Sequence, residues 1–273
     1  ADGQGGFAVA RATRGSEATA IAGQGSRAVS NASWGSSSRA EAYNNSRATS
    51  NAMFGSQSNA FASDNSVAKS NAIWNSHSSA VAERNSRATS NAMFSSESTA
   101  YADNNSVAKS KAVWQSQSAA VALDSSIAKS TAKYNSSSAA LAVNQSVAKS
   151  TAKYGSQSAA LAADGSRAVS EAFYGSQASA EAYDGSLSLA SAKFDSTAKS
   201  LAESGSIAAT NAKNGSAAQS LAIDGGIAQA FGEDGQDALA LAGADGYALA
   251  LPGTVDIDGD LSGLDLSGSL FGE

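Results

Sequence analysis

The sequence predicts an all-β chain, a flat two-sheet β-solenoid built from 20-residue coils around a narrow Ser/Ala interior. Three observations predict it. Ser or Ala fills every second position, turn-forming dipeptides recur every ten residues, and the full pattern repeats only after twenty. Each coil then holds two strands of eight residues and two tight corners.

The strands come from the period of two, which places successive side chains on opposite faces. From Ser26 to Ala222, positions ending in 6, 8, 0 and 2 hold Ser or Ala, with Thr210 the exception. One coil shows the ladder: Ser46, Ala48, Ser50 and Ala52, then Ser56, Ser58, Ala60 and Ala62. The alternate residues include Arg, Lys, Asn, Glu and Gln, which cannot be buried in rows without partners. The Ser/Ala face is therefore the interior. Alanine at every second position makes no helical stripe.

The corners come from the dipeptides between strands: Asn44-Asn45, Asp64-Asn65, Asp164-Gly165, Asp184-Gly185 and Asp224-Gly225. Alternate corners carry aromatics instead, at Trp34, Phe54, Trp74, Phe94, Trp114, Tyr134, Tyr154 and Tyr174. The 20-residue period distinguishes the topology. A solenoid stacks residue i on i+20 and puts like on like, ring over ring and Asn over Asp. An antiparallel cross-β meander is the alternative. With two-residue hairpins its small face flips at every turn, whereas three-residue loops keep parity but leave the long period without a role.

The interior follows from size. Ala and Ser let the two sheets approach inside the usual ~10 Å separation, and a leucine there overpacks at about 1–3 kcal/mol. Buried hydroxyls then need partners across the gap. The array is expected over residues 1–230, followed by an acidic Gly/Leu-rich segment, 231–273, as cap or assembly element. The N-terminus enters the repeat directly, with no polar cap over residues 5–23.

Composition narrows the function. There is no cysteine to form disulfides or a thiolate cage, and a net charge of −6 argues against nucleic-acid binding. No apolar run reaches the ~20 residues of a membrane helix, so no membrane insertion is expected. A chain that begins Ala-Asp-Gly-Gln without methionine fits a cleaved, secreted product. His77 is the only histidine and points outward between Ser76 and Ser78, so no Ser-His machinery is expected and the chain is read as no enzyme. Asp256, Asp258 and Asp260 alternate like the start of a calcium loop but lack its distal glutamate, which leaves turn chemistry as the simpler reading and Ca²⁺ as the candidate metal. No other cofactor is expected.

The outward columns hold two further candidates. Lys109, Lys111, Lys129, Lys133, Lys149 and Lys153 form a basic block suited to solvation and edge protection, or to a polyanion. On the other face of the same coils, Val121, Leu123, Leu141, Val143 and Leu161, with Ala119, Ala139, Ala159 and Ala163 among them, make an apolar patch that reads as an interface. The aromatic row reads as a corner-stacking device, with a glycan platform as the other use.

The segments "NSVAKSNA" (65–72), "NSVAKSKA" (105–112), "QSVAKSTA" (145–152) and "GSRAVSEA" (165–172) resemble the SxA repeats of bacterial surface β-solenoids, notably trimeric autotransporter adhesin heads. Those heads use longer coils and place Gly where this chain has Ser70, Ser110, Ser150 and Ser170. The Ser/Ala interior also resembles flat insect antifreeze solenoids and cross-β silks. The expectation is a secreted structural protein whose copies join head to tail into extracellular fibres. A cell-surface adhesin is the alternative, and an ice-binding protein the third reading.

Overall fold

A computed structural model describes residues 7–225, 227–232, 238–242, 247–251 and 254–258. The described residues form twenty-six strands and no helix. Odd-numbered strands make one 13-stranded sheet and even-numbered strands a second. The first coil is β1 (Phe7–Thr13) with β2 (Glu17–Ala22), and the last is β25 (Tyr247–Leu251) with β26 (Thr254–Asp258). Every pairing is parallel, and Ala48 lies beside Ala68 as Ser50 lies beside Ser70. The chain is a β-solenoid with the predicted 20-residue step. Thirteen rungs at ~4.8 Å make a rod of roughly 60 Å.

The interior is alanine and hydroxyl. Ser46, Ala48, Ser50, Ala52, Ser56, Ser58, Ala60 and Ala62 are all buried, and Thr210 is the largest fully buried side chain. The alternation of Ser/Ala order between neighbouring strands now has a cause. Ser58 of one sheet meets Ser70 of the other, Oγ to Oγ at 2.6 Å, and Ser38 meets Ser50 at the same distance. Equivalent pairs run up the rod to Ser158 and Ser170 at 2.8 Å. Higher up the rod both partners change together, since Ala178 stands twelve residues from Ala190 and the next hydroxyl pair is Ser188 with Ser200 at 3.2 Å; near the first coil Ser30 faces Ala18 and donates to its carbonyl at 2.9 Å instead. A lone buried hydroxyl costs about 1–3 kcal/mol, and two alanines in its place cost little.

The corners carry the ladder around the bend. Both corner residues are left-handed, as at Asn44 (φ 51°) and Asn45 (φ 63°), or Trp74 (φ 60°) and Asn75 (φ 55°). Their amides donate forward to the next coil, Asn45 N–H to Asp64 O at 3.1 Å and Trp34 N–H to Met53 O at 3.2 Å. The residue after each corner is serine from Ser16 to Ser216 without exception. Its amide donates to the hydroxyl of the serine one coil on, Ser46 N–H to Ser66 Oγ at 3.1 Å. Position six is thus a hydrogen-bonding position, where alanine cannot substitute.

The sheets run on past residue 230. β23 (Ile227–Gly232) pairs with β25, and β24 (Ala238–Ala242) pairs with β26. The last three strands shorten to five residues, and Ala240 pairs with Asp256, a step of sixteen rather than twenty. At the other end Ala8 and Ala10 occupy inward positions but are only half-buried, since no described strand lies beyond β1. Among the described residues no helix is long and apolar enough to cross a membrane.

Candidate functional site: the corner rows and the outer faces

The aromatic corner is a column of stacked rings. Trp34 stacks on Phe54 at 4.5 Å between centroids and Trp74 on Phe94 at 4.3 Å. Trp114, Tyr134, Tyr154, Tyr174 and Phe194 form a run of five at 4.4 to 5.2 Å. Phe194 extends the row beyond the residues singled out from sequence. The rings lie within 13° of parallel, so stacked neighbours cover each other's faces and turn their edges to solvent. A sugar ring stacks on an exposed aromatic face, which only the ends of such a stack offer.

The same corner holds a second device. Ser56 Oγ–H donates to Met53 O at 2.6 Å and Ser116 Oγ–H to Val113 O at 2.8 Å, each closing the corner onto the strand before it. At the Asn/Asp corner the corresponding bonds reach the carbonyl two residues back and are longer, 3.5 Å for Ser86 and 3.4 Å for Ser146.

The lysines lie on the outer face of the odd-numbered sheet. Lys109, Lys129 and Lys149 stack in register, as do Lys133 and Lys153, with Lys111 in the strand of Lys109. Lys149 Nζ pairs with Glu171 at 2.7 Å, and Lys153 Nζ sits 5.0 Å from the Phe173 ring centroid. On the same sheet an amide ladder runs through Asn31, Asn51, Asn71 and Asn91, with Nδ2 of the last three donating to the Oδ1 one coil below at 2.7 to 2.8 Å. The signal was present in sequence, as asparagine recurring at step twenty in an outward position.

The apolar patch lies on the even-numbered sheet. β12 (Gln117–Ala122), β14 (Ser137–Ala142) and β16 (Gln157–Ala162) stack Val121 beside Leu141 beside Leu161, and Ala119 beside Ala139 beside Ala159. Leu123 and Val143 follow at the strand ends, half-buried. The alanine column is the floor of a groove, with the Val/Leu column as one wall and Gln117 and Gln157 on the other side.

Other titratable groups are peripheral. His77 Nε2 lies 3.2 Å from Glu97 Oε2 on the exposed face. Burial first, and then the neighbouring Glu41, push the Tyr43 phenol above its ordinary value; burial and Glu181 do the same to Tyr183. Among the described residues no group of three or more His, Cys, Asp or Glu is placed to hold a metal. Asp256 and Asp258 lie in β26, paired with Ala240 and Ala242, and Asp260 lies outside the described residues. An extended strand spaces alternate Cα atoms by ~6.6 Å, whereas a calcium loop wraps its ligands around the ion.

Comparison with family models, with curated proteins and with solved structures returns no match to this chain, so its site is read from its own geometry.

Proposed function

We propose that the chain is a secreted structural subunit whose copies join end to end into extracellular β-rich fibres. The observation that carries this reading is the uniform stacking. Up to β24 coil follows coil with like residues aligned, and parallel main-chain pairing continues through β26, so a coil from another copy can continue both ladders through main-chain bonds. At one end Ala8 and Ala10 are half-exposed, whereas the same columns are buried from Ala28 and Ser30 to Ala228 and Ala230. A strand edge in this state is a template for another chain. The joint places β25 and β26 of one copy against β1 and β2 of the next, each coil supporting its neighbour as in other stacked arrays.

The test is electron microscopy and sedimentation of the parent beside Ala8→Lys. A lysine at the half-exposed end is tolerated in the single rod but must be buried when a coil is added. The parent should elongate and the variant should remain short with unchanged β-sheet circular dichroism. A parent that stays monomeric at millimolar concentration overturns the reading, and so does a variant that elongates equally.

A further inference from the structure

We infer that the even-numbered sheet is a self-recognition surface, on which a second copy packs face to face with its rod pointing in the same direction. This goes beyond end-to-end growth and does not depend on it, because the surface lies along the side of a single rod.

The argument starts from column heights. Ala119, Ala139 and Ala159 form a trough, and Val121, Leu141 and Leu161 stand as a ridge one column away. Ser79, Thr99 and Ser179 continue the low column in the coils before and after. Two such faces can meet through a twofold axis in two ways. An axis across the rods makes them antiparallel and sets ridge on ridge, leaving the two troughs facing each other as a void. An axis along the rods sets the ridge of each copy into the trough of the other, at the same coil level. Only the second arrangement is close-packed, the interdigitation that makes dry β-sheet interfaces stable. It is also self-complementary, as a twofold interface requires.

Charge agrees with this choice. In β4 (Ser37–Tyr43), Arg39 belongs to the low column and Glu41 to the ridge. Beyond the six apolar coils, Arg39 and Glu41 pair with each other in their own strand, and the parallel arrangement sets this pair against its counterpart with opposite signs facing. The like-charged meeting it creates, Glu97 with Asp103, falls at the rim beside His77, which pairs with Glu97 in its own copy.

Size sets the strength. Six coils at ~4.8 Å by six residues at ~3.3 Å give a face of roughly 600 Å² per copy. Two such faces total roughly 1,200 Å², the low end for a specific interface. Single rods therefore pair weakly and reversibly, and rods joined end to end pair in proportion to their length.

The chain has no cysteine, so single cysteines report the arrangement directly. In the parallel pair, Gln157 of one copy lies over Ala163 of the other; in the antiparallel pair it lies over Gln117. A mixture of Gln157→Cys and Ala163→Cys should cross-link through a short bismaleimide, and a mixture of Gln117→Cys and Gln157→Cys should not. Ala139→Leu fills the trough from the solvent side and should weaken association by about tenfold or more, while Thr131→Leu on the other sheet leaves it unchanged. Ala8→Lys, which blocks the ends, should leave the cross-link intact. The inference is overturned if the Gln117/Gln157 mixture cross-links preferentially, if Ala139→Leu associates like the parent, or if the parent gives no cross-linked pair at millimolar concentration.

Discussion

The two corners of each coil share one backbone and differ in nearly everything else. Both place two residues in the left-handed region. One fills these positions mostly with Asn, Asp and Gly, which adopt that region readily. The other puts Trp, Phe or Tyr first, for which the region costs roughly 1–2 kcal/mol. The aromatic corner answers the strain with stacked rings and with the short serine bond back to the preceding strand. The Asn/Asp corner has the longer bonds. Corner shape is thus set by the main-chain ladder, and side chains differ in how they support it.

The largest effect that separates the corners should come from their serines. Ser116→Ala removes the 2.8 Å bond to Val113 O and the acceptor for Ser96 N–H. It should destabilise by about 2–3 kcal/mol in denaturant titration, against about 1–1.5 for Ser106→Ala. Equal losses would mean that the two locks are the same. Next comes ring stacking: Tyr154→Ala breaks two ring contacts and should cost about 1–2 kcal/mol more than Asp164→Ala. Smaller still is the backbone strain, read as the difference between two variants at one site. Tyr154→Gly should be more stable than Tyr154→Ala by about 1 kcal/mol, since glycine adopts the left-handed region freely. If the alanine variant melts higher, strain is not what the rings offset.

The smallest effect is a pH dependence on the Asn/Asp side. Tyr43 and Tyr183 precede that corner, and burial raises both phenols above the ordinary value of 10.0. The folded rod therefore holds these protons more tightly than the unfolded chain. Their contribution is fully present below the unfolded value and is lost as pH rises through the folded one. Stability should decline in alkali, with Tyr43→Phe reducing the slope in a pH-melting series. An unchanged slope would place the loss elsewhere.

The fold was legible because its signals are periodic. Parity fixed the inner face, and the step of twenty fixed which residue lies on which. Left-handed corners were legible at Asn44-Asn45, where the residue types favour them, and hidden at Trp74-Asn75, where the ladder imposes them on a bulky ring. The Ser58–Ser70 pairing was encoded in the alternation of Ser/Ala order but could be decoded only once the facing strands were known. The last coils stand apart in sequence because they are acidic and rich in Gly and Leu, and in the structure Ala240 is followed in register by Asp256, sixteen residues on. Main-chain pairing does not require the Ser/Ala pattern, and the sheets continue. The Val121–Leu161 column and the alanines beside it were visible together as one apolar patch, but their division into ridge and trough was not, since column heights emerge only when the coils are stacked.

The serine pairs across the interior also make the length of the rod a counted quantity. Deleting one residue turns every later side chain to the wrong face. Inserting ten keeps parity but sets hydroxyls against alanines and rings above aspartates. Within the regular array only whole units of twenty pass both tests, so that part of the rod lengthens in increments of one rung, ~4.8 Å at a time. Duplication of a single coil is then a neutral edit, and the molecule is a ruler whose graduations are written in its own sequence.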